Sequence, residues 1–245
     1  MQPRTELGRA LTPQGQPFTL TEEGGALVVR VGGALLMSSR MSGSEAQMAA
    51  VALESLLDRP NLRVLVAGLG LGYTLRAVLT LVAAQAQVTV CELMQPLVDW
   101  HRGPLGQLTD FAINDPRAHL AIGDVTALLQ NSTERWDAIL LDVDNGPDAL
   151  THSDNAWLYG AAGLRHMRTL LQPGGQLVVW SAHESPPFVE RLKQAGFSAN
   201  ALRVRARGTV AKGGFHWLLV GAVPHVSGQD APSKGTVRSE IRYRH

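Results

Sequence analysis

A run of apolar and β-branched residues that empties into three closely spaced glycines constrains this chain more than any other stretch. Arg63-Val64-Leu65-Val66-Ala67 leads into Gly68-Leu69-Gly70-Leu71-Gly72 and then into a helical pattern opening at Tyr73-Thr74-Leu75-Arg76. A continuous apolar run of this kind marks a parallel strand buried on both faces. Glycines let the backbone turn sharply and approach a ligand closely, and the helix predicted over 73–84 aims its free N-terminal amides at the same place. Gly68, Gly70 and Gly72 are therefore candidates for contact with a nucleotide-like ligand. The same turn also serves to join any strand to any helix, and its spacing alone does not separate the two readings.

The remaining composition is that of a folded domain. A chain of 245 residues, 45% of them hydrophobic, can bury one sizeable core with a small appendage. The formal net charge is +1, and no dense Lys/Arg stripe interleaves with aromatics, so neither nucleic acid nor a membrane is an expected partner. The opening Met1-Gln2-Pro3-Arg4-Thr5-Glu6-Leu7 has no apolar signal core, and no apolar run approaches the roughly 18 residues of a membrane span. A cytoplasmic location is the expectation. Cys91 is the single cysteine, which excludes an internal disulfide and a zinc site built on cysteine pairs, and inside a strand it reads as a small hydrophobe. No histidine spacing points to a metal.

Taken in order, residues 17–37 read as extended. Leu27-Val28-Val29-Arg30-Val31 and Ala34-Leu35-Leu36-Met37 flank Gly32-Gly33, the signature of a hairpin, so residues 1–40 form a small N-terminal β appendage. Ser42 and Ser44 are N-cap candidates for a helix whose apolar stripe runs through Met48, Val51, Ala52 and Leu56 to a stop near Pro60. From residue 62 short apolar runs alternate with helical segments. Strands are expected at 62–67, 87–92, 118–122, 137–142 and 175–181, with helices at 73–84, 95–101, 124–130, 155–171 and 186–195. Two further strand-like runs, 197–206 and 215–222, follow without a helix between them, which predicts a closing antiparallel hairpin. The fold class is α/β: a Rossmann-like, mostly parallel class I methyltransferase sheet spanning 41–223. The tail over 224–245 has no periodicity and reads as disordered.

In such sheets ligands bind beyond the carboxyl ends of the strands, which directs attention to the acids placed there. Glu92 ends its strand where a carboxylate accepts both hydroxyls of a ribose. Asp124, after Gly123, fits an adenine amino group and equally a helix N-cap. Asp137-Ala138-Ile139-Leu140-Leu141-Asp142-Val143-Asp144-Asn145-Gly146-Pro147 releases two carboxylates from a buried strand into a loop, a costly arrangement unless something pairs with them. Asp142 and Asp144 are read as orienting a nucleophile and handling its proton, with turn formation as the alternative for Asp144. His152 and His183 could line the same edge or simply be solvated. Tyr159 has a hydroxyl to offer, although Trp157-Leu158-Tyr159 also suits core packing.

Together these residues resemble the spermidine synthases, the polyamine aminopropyltransferases, over about 27–222. Gly68 to Arg76 looks like the family's glycine loop with its Thr-x-Arg, Glu92 like its ribose acid, Gly123-Asp124 like its adenine acid, and Asp142 to Pro147 like its Asp-rich catalytic loop. Leu158-Tyr159 is similar to its Phe-Tyr, and Glu184-Ser185-Pro186 to the turn after its fifth strand. The resemblance implies a small β domain ahead of the sheet, a dimer, and a sulfonium nucleoside as co-substrate. Three departures bear on the chemistry: Leu71 stands where the family has a donor-binding Asp, Gly43-Ser44-Glu45 where it has Tyr-His-Glu, and Asn145 where it has the last loop Asp. Loss of an acid at 71 relaxes repulsion of the carboxylate of intact S-adenosylmethionine.

The expectation is a transferase that moves an alkyl group from the sulfonium to a small-molecule acceptor such as an amine. Methyl transfer from S-adenosyl-L-methionine is narrowly preferred over aminopropyl transfer from decarboxylated S-adenosylmethionine. Asp142, Asp144 and Tyr159 would act on the acceptor side, and Gly68, Gly70, Gly72, Glu92, Gly123 and Asp124 would hold the donor, with no metal. An NAD-dependent oxidoreductase fits less well, because Tyr73 replaces the third glycine of the dinucleotide fingerprint. A non-catalytic nucleoside-binding protein is the remaining alternative.

Overall fold

The computed structural model describes residues 4–40, 43–143, 146–147, 155–206 and 214–224. The first unit is an antiparallel meander of β1 (Arg4–Leu11), β2 (Pro17–Glu23), β3 (Ala26–Val31) and β4 (Ala34–Ser38), paired in that order. Gly32 and Gly33, at φ +57° and +88°, make the β3–β4 turn that the glycine pair predicts. Strand β1 was not expected. Its sequence has little β propensity, but it pairs with β2 along its length and bulges between Glu6 and Gly8. Gly8 packs directly on the Trp100 indole, where a side chain would collide.

The main sheet follows the helix α1 (Ser44–Leu53) and alternates β5 (Arg63–Ala67), α2 (Tyr73–Leu81), β6 (Gln87–Glu92), α3 (Gln95–His101), β7 (Ala118–Ile122), α4 (Val125–Asn131) and β8 (Trp136–Leu141). After these come α5 (Ala156–Tyr159), α6 (Ala161–Leu170), β9 (Leu171–Ser181), α7 (Pro186–Gln194), β10 (Ser198–Arg205) and β11 (Phe215–Ala222). Its seven strands lie in the order β10-β11-β9-β8-β5-β6-β7, parallel except for the β10–β11 hairpin, which is antiparallel to itself and to β9. The α/β fold is thus the expected one. The chain leaves β5 first toward β6 and β7 and later toward β8, so a topological switch point falls between β5 and β8, directly at the glycine turn.

Both faces of the sheet are covered. Val64 and Val66 point to a core shared with Met48, Leu53, Leu75 and Val78 of α1 and α2, while Leu65 and Ala67 point to one shared with Leu129, Leu164, Met167 and Leu192 of α4, α6 and α7. Each fully buried aliphatic side chain of this kind contributes about 1.5–3 kcal/mol, which is why the strands read as unbroken apolar runs. A third cluster joins the two units: Phe18, Leu20 and Val29 of the small sheet pack on Leu71, Leu97 and Leu105, and Phe18 stacks on Trp100 at 4.8 Å.

Helices α1 and α2 end earlier than expected, at Leu53 and Leu81, and two further boundaries differ for reasons of packing and pairing. The single helix predicted over 155–171 is broken at Gly160, because the chain folds back until Gly163 lies on the Trp157 carbonyl with no room for a side chain. Strand β9 starts at Leu171 rather than 175, because Leu171 already pairs with Trp136 ahead of a register shift. Of the expected tail, residues 225–245 lie outside the described residues, as does the N-cap candidate Ser42. Among the described residues, no helix is long and apolar enough to cross a membrane.

Candidate functional site

The carboxyl ends of β5, β6, β7 and β8 converge on the glycine turn. Gly68 has φ +92° and lies against the backbone carbonyl of Asp142, leaving no space for a Cβ, while its amide donates to the Cys91 carbonyl at 2.9 Å. One residue thereby ties the ends of β5, β6 and β8 together. Gly72, at φ +83°, precedes α2 without any side-chain cap, so the helix presents its first amides at the sheet edge.

Glu92 closes this arrangement from β6. Its carboxylate accepts from the Leu69 amide at 2.9 Å through Oε2 and from the Met94 amide at 2.8 Å through Oε1. It is only 7% exposed. Burial raises its pKa, and the backbone amides of Met94, Leu69, Gly70 and Leu93 oppose that rise. Leu69 and Met94 thus anchor both oxygens of the carboxylate to the backbone around the glycine turn. Asp124 accepts from the Thr126 amide at 2.8 Å and is the N-cap of α4, so the capping reading describes its Oδ1. Gly123 donates to the Glu92 carbonyl at 2.9 Å, and a side chain built on it would meet nothing within 4 Å. The edge beside Glu92 and Asp124 is open.

Asp142 leaves the end of β8 with one described side-chain partner, the Thr74 hydroxyl in the first turn of α2, which donates to Oδ2 at 3.1 Å. Burial, reinforced by the Glu45 carboxylate and opposed by Thr74, pushes its pKa up to about 7. Among its described partners there is no cation. Asp144 and His152 lie outside the described residues. Tyr159 is 3% exposed, with its ring edge-on to Phe188 at 5.9 Å in the α6–α7 core. His183 is exposed and meets Ser181 only through its backbone, the Ser181 hydroxyl donating to the His183 carbonyl at 2.6 Å.

No signal in the sequence singles out His101, yet it is fully buried beneath the glycine turn. Its Nε2 donates to the Gly70 carbonyl at 2.9 Å, and its Cε1 comes 2.8 Å from where a Cβ on Gly72 would lie. Burial lowers its pKa, which keeps it a neutral prop for the turn. No spacing in the chain marks this role, since it arises from packing between α3 and the loop before α2. Leu71 is 7% exposed and belongs to the apolar cluster under the small sheet. An acid there would lose its hydration within that cluster. Cys91 is buried, with a thiol that burial pushes up to about 12, which suits a packing role. Among the described residues no cluster of His, Cys, Asp and Glu could hold a metal ion.

Comparison with known proteins adds the kinship of this geometry. A curated polyamine aminopropyltransferase from Sulfolobus acidocaldarius is 30% identical over 144 residues, 56% of this chain and 42% of the relative. Polyamine aminopropyltransferase 1 from Streptomyces coelicolor is 31% identical over 137 residues, 55% of this chain and 24% of the relative. The matched region thus spans less than half the length of either relative. Among solved structures, spermidine synthase from Thermotoga maritima is similar with a TM-score of 0.67 at 16% identity, covering 89% of this chain and 72% of that one. A spermidine synthase in complex with the transition state analogue AdoDATO has a TM-score of 0.66 at 17% identity, with the same coverage of 89% and 72%. At these identities the structural likeness shows the fold. A family model described as the spermine/spermidine synthase domain matches residues 45–194, more than half of the sequence, and the chain belongs to that family.

Proposed function

We propose that this protein is an enzyme that transfers an aminopropyl group from decarboxylated S-adenosylmethionine to an amine. The observation that carries the reading is Asp142: a carboxyl raised to about 7, supported by one hydroxyl, at the switch point of the sheet beside an amide-rich glycine turn. A sulfonium or an ammonium is the partner such a group lacks. In the proposed step the amine lone pair forms a bond to the carbon next to sulfur, the carbon–sulfur pair returns to sulfur, and a neutral thioether nucleoside departs. The positive sulfur already activates that carbon, so the protein's part is alignment and charge.

Glu92 would take the ribose hydroxyls, Gly123 and Asp124 the adenine, and Gly68, Gly70 and Gly72 the backbone-lined approach to the nucleoside. Asp142, with Asp144 as a second carboxylate, would face the cations. Tyr159, its ring held edge-on to Phe188, would offer its hydroxyl on the same acceptor side. The narrow preference for methyl transfer drawn from sequence finds no support in the relatives, which are named for aminopropyl transfer. One observation still favours intact S-adenosyl-L-methionine as a second reading: Leu71 is seated in an apolar cluster, so no carboxylate stands at that position to repel the carboxylate of the intact donor. A homodimer and a cytoplasmic location belong to the same proposal, and light scattering on the purified protein tests the first.

Incubation with each donor separately, over a panel of diamines and polyamines, decides between the readings through product mass. The aminopropyl adduct from the decarboxylated donor is expected. Methylated product from intact donor alone would replace this reading with the second.

A further inference from the structure

Beyond the donor-facing turn, the carboxyl edge of the sheet holds a hydrogen-bonded cluster that the functional reading leaves without a role. Ser44 opens α1 and is 2% exposed. Its Oγ has three partners: the Trp180 Nε1 at 3.1 Å, the Glu45 Oε2 at 3.0 Å and the His216 Nδ1 at 3.0 Å. The indole can only donate and the carboxylate can only accept, so the single hydroxyl proton goes to Glu45. Oγ then accepts from Trp180 and from His216, which requires the proton of the neutral imidazole to sit on Nδ1. The Gly43 amide, donating to the same Glu45 oxygen at 2.9 Å, holds the carboxylate in place.

That accounting leaves Nε2 of His216 with its lone pair bare, and none of the described residues hydrogen-bonds to it. Trp180 packs against the imidazole at 4.6 Å and 67°, fixing the plane of the ring. His216 is the second residue of β11, one position outside the Trp217–Ser181 pair, so it stands at the same edge of the sheet as Asp142. The Glu45 charge raises the pKa of both His216 and Asp142.

We propose that His216, held as its Nδ1–H tautomer by Ser44 and Glu45, takes the proton from the attacking nucleophile through Nε2. The inference rests on the transferase reading given above. As a neutral amine forms its new bond to carbon and the carbon–sulfur pair moves to sulfur, the amine becomes a cation and passes one N–H proton to Nε2. The imidazolium so formed still donates from Nδ1 to Ser44, and Ser44 in turn donates to Glu45, so the new charge faces a carboxylate through one hydroxyl. Burial lowers the His216 pKa while Glu45 raises it, which leaves the lone pair available near neutral pH. Asp142 is then free to remain a counter-charge rather than a base.

Two variants and one spectrum test the proposal. His216→Asn keeps a donor for Ser44 near Nδ1 and removes Nε2. It should lower kcat by about 10²–10⁴, leave donor affinity within twofold, and abolish the limb of the pH profile that His216 produces. Ser44→Ala, which frees the tautomer but keeps the base, should lower kcat about tenfold. Among the described residues the charged group that acts on His216 is Glu45 on α1; Arg203 and Arg205 of β10 flank Val204, the partner of His216, and lie over the Phe215 ring on the other face of the sheet. Retention of wild-type kcat in His216→Asn would overturn the proposal. Nitrogen-15 NMR of the His216 ring at pH 7 should show a protonated Nδ1 and a bare Nε2; the opposite tautomer would overturn this inference while leaving the transferase reading intact. A wild-type protein that binds the donor yet transfers nothing would overturn both.

Discussion

At the amino end of β8, Asp137 accepts from the Arg59 guanidinium and, at 2.9 Å, from the Arg63 amide; just past the carboxyl end, Asp142 accepts from the Thr74 hydroxyl at 3.1 Å. Arg59 also donates to the Pro173 carbonyl at 2.7 Å, so the first aspartate belongs to a clamp joining the turn after α1 to β8 and β9. The second has no cation beside it among its described hydrogen-bond partners, and its acidity is weakened until its pKa is about 7. Among the described residues, one carboxylate of this strand thus meets a cation and the one that follows it meets a hydroxyl alone. The first is a part of the fold; on the proposed reading the second meets the charge of a substrate, which in an α/β sheet arrives at the carboxyl end.

The comparison is broken most directly by substitution. Asp142→Asn keeps an acceptor for Thr74 and removes the negative charge, so turnover should fall by about 10²–10⁴ while the protein stays folded; kcat and circular dichroism check this. Asp137→Ala should do the reverse. Leaving Arg59 and the Arg63 amide without their acceptor should cost about 2–3 kcal/mol in denaturant unfolding, with activity per folded molecule retained.

Two pH experiments sharpen the contrast. Because a cation favours the ionised form of Asp142, a sulfonium ligand should bind up to about tenfold more tightly at pH 8 than at pH 6, whereas the neutral thioether nucleoside should show no such slope. Calorimetric titration of both ligands measures it. The second experiment reads stability. With a folded-state pKa raised to about 7 from 3.8, the native state binds more protons than the unfolded state across that window, so Asp142 costs stability as pH rises through it and costs no more above it. Asp142→Asn should therefore match the wild type near pH 4 and exceed it by up to about 4 kcal/mol at pH 8.

How far the sequence could be read follows the same division between local and assembled features. The strands around the glycine turn are legible because both of their faces are buried and their apolar runs are unbroken. The strand-end positions of Glu92 and Asp142 are legible because each follows a run of apolar and β-branched residues. Strand β1 is not, since it depends on Gly8 meeting Trp100, far along the chain. Nor are His101 and His216. The first gains its role from a loop 31 residues away and the second from a serine 172 residues away, and no local pattern carries that information. Leu71 is a mixed case: its identity is visible at once as a departure from the family's acid, but only the cluster with Phe18, Leu20 and Val29 shows what the leucine does.

The central claim is that the carboxyl group after β8 lacks a cation that the substrate supplies. Carbon-13 NMR titration of the Asp142 carboxyl, run without ligand and then with the sulfonium donor, measures this. A midpoint near 7 in the free protein that drops by at least one unit when the donor binds is the predicted result. A midpoint near 4 in the free protein, unmoved by the donor, would contradict it.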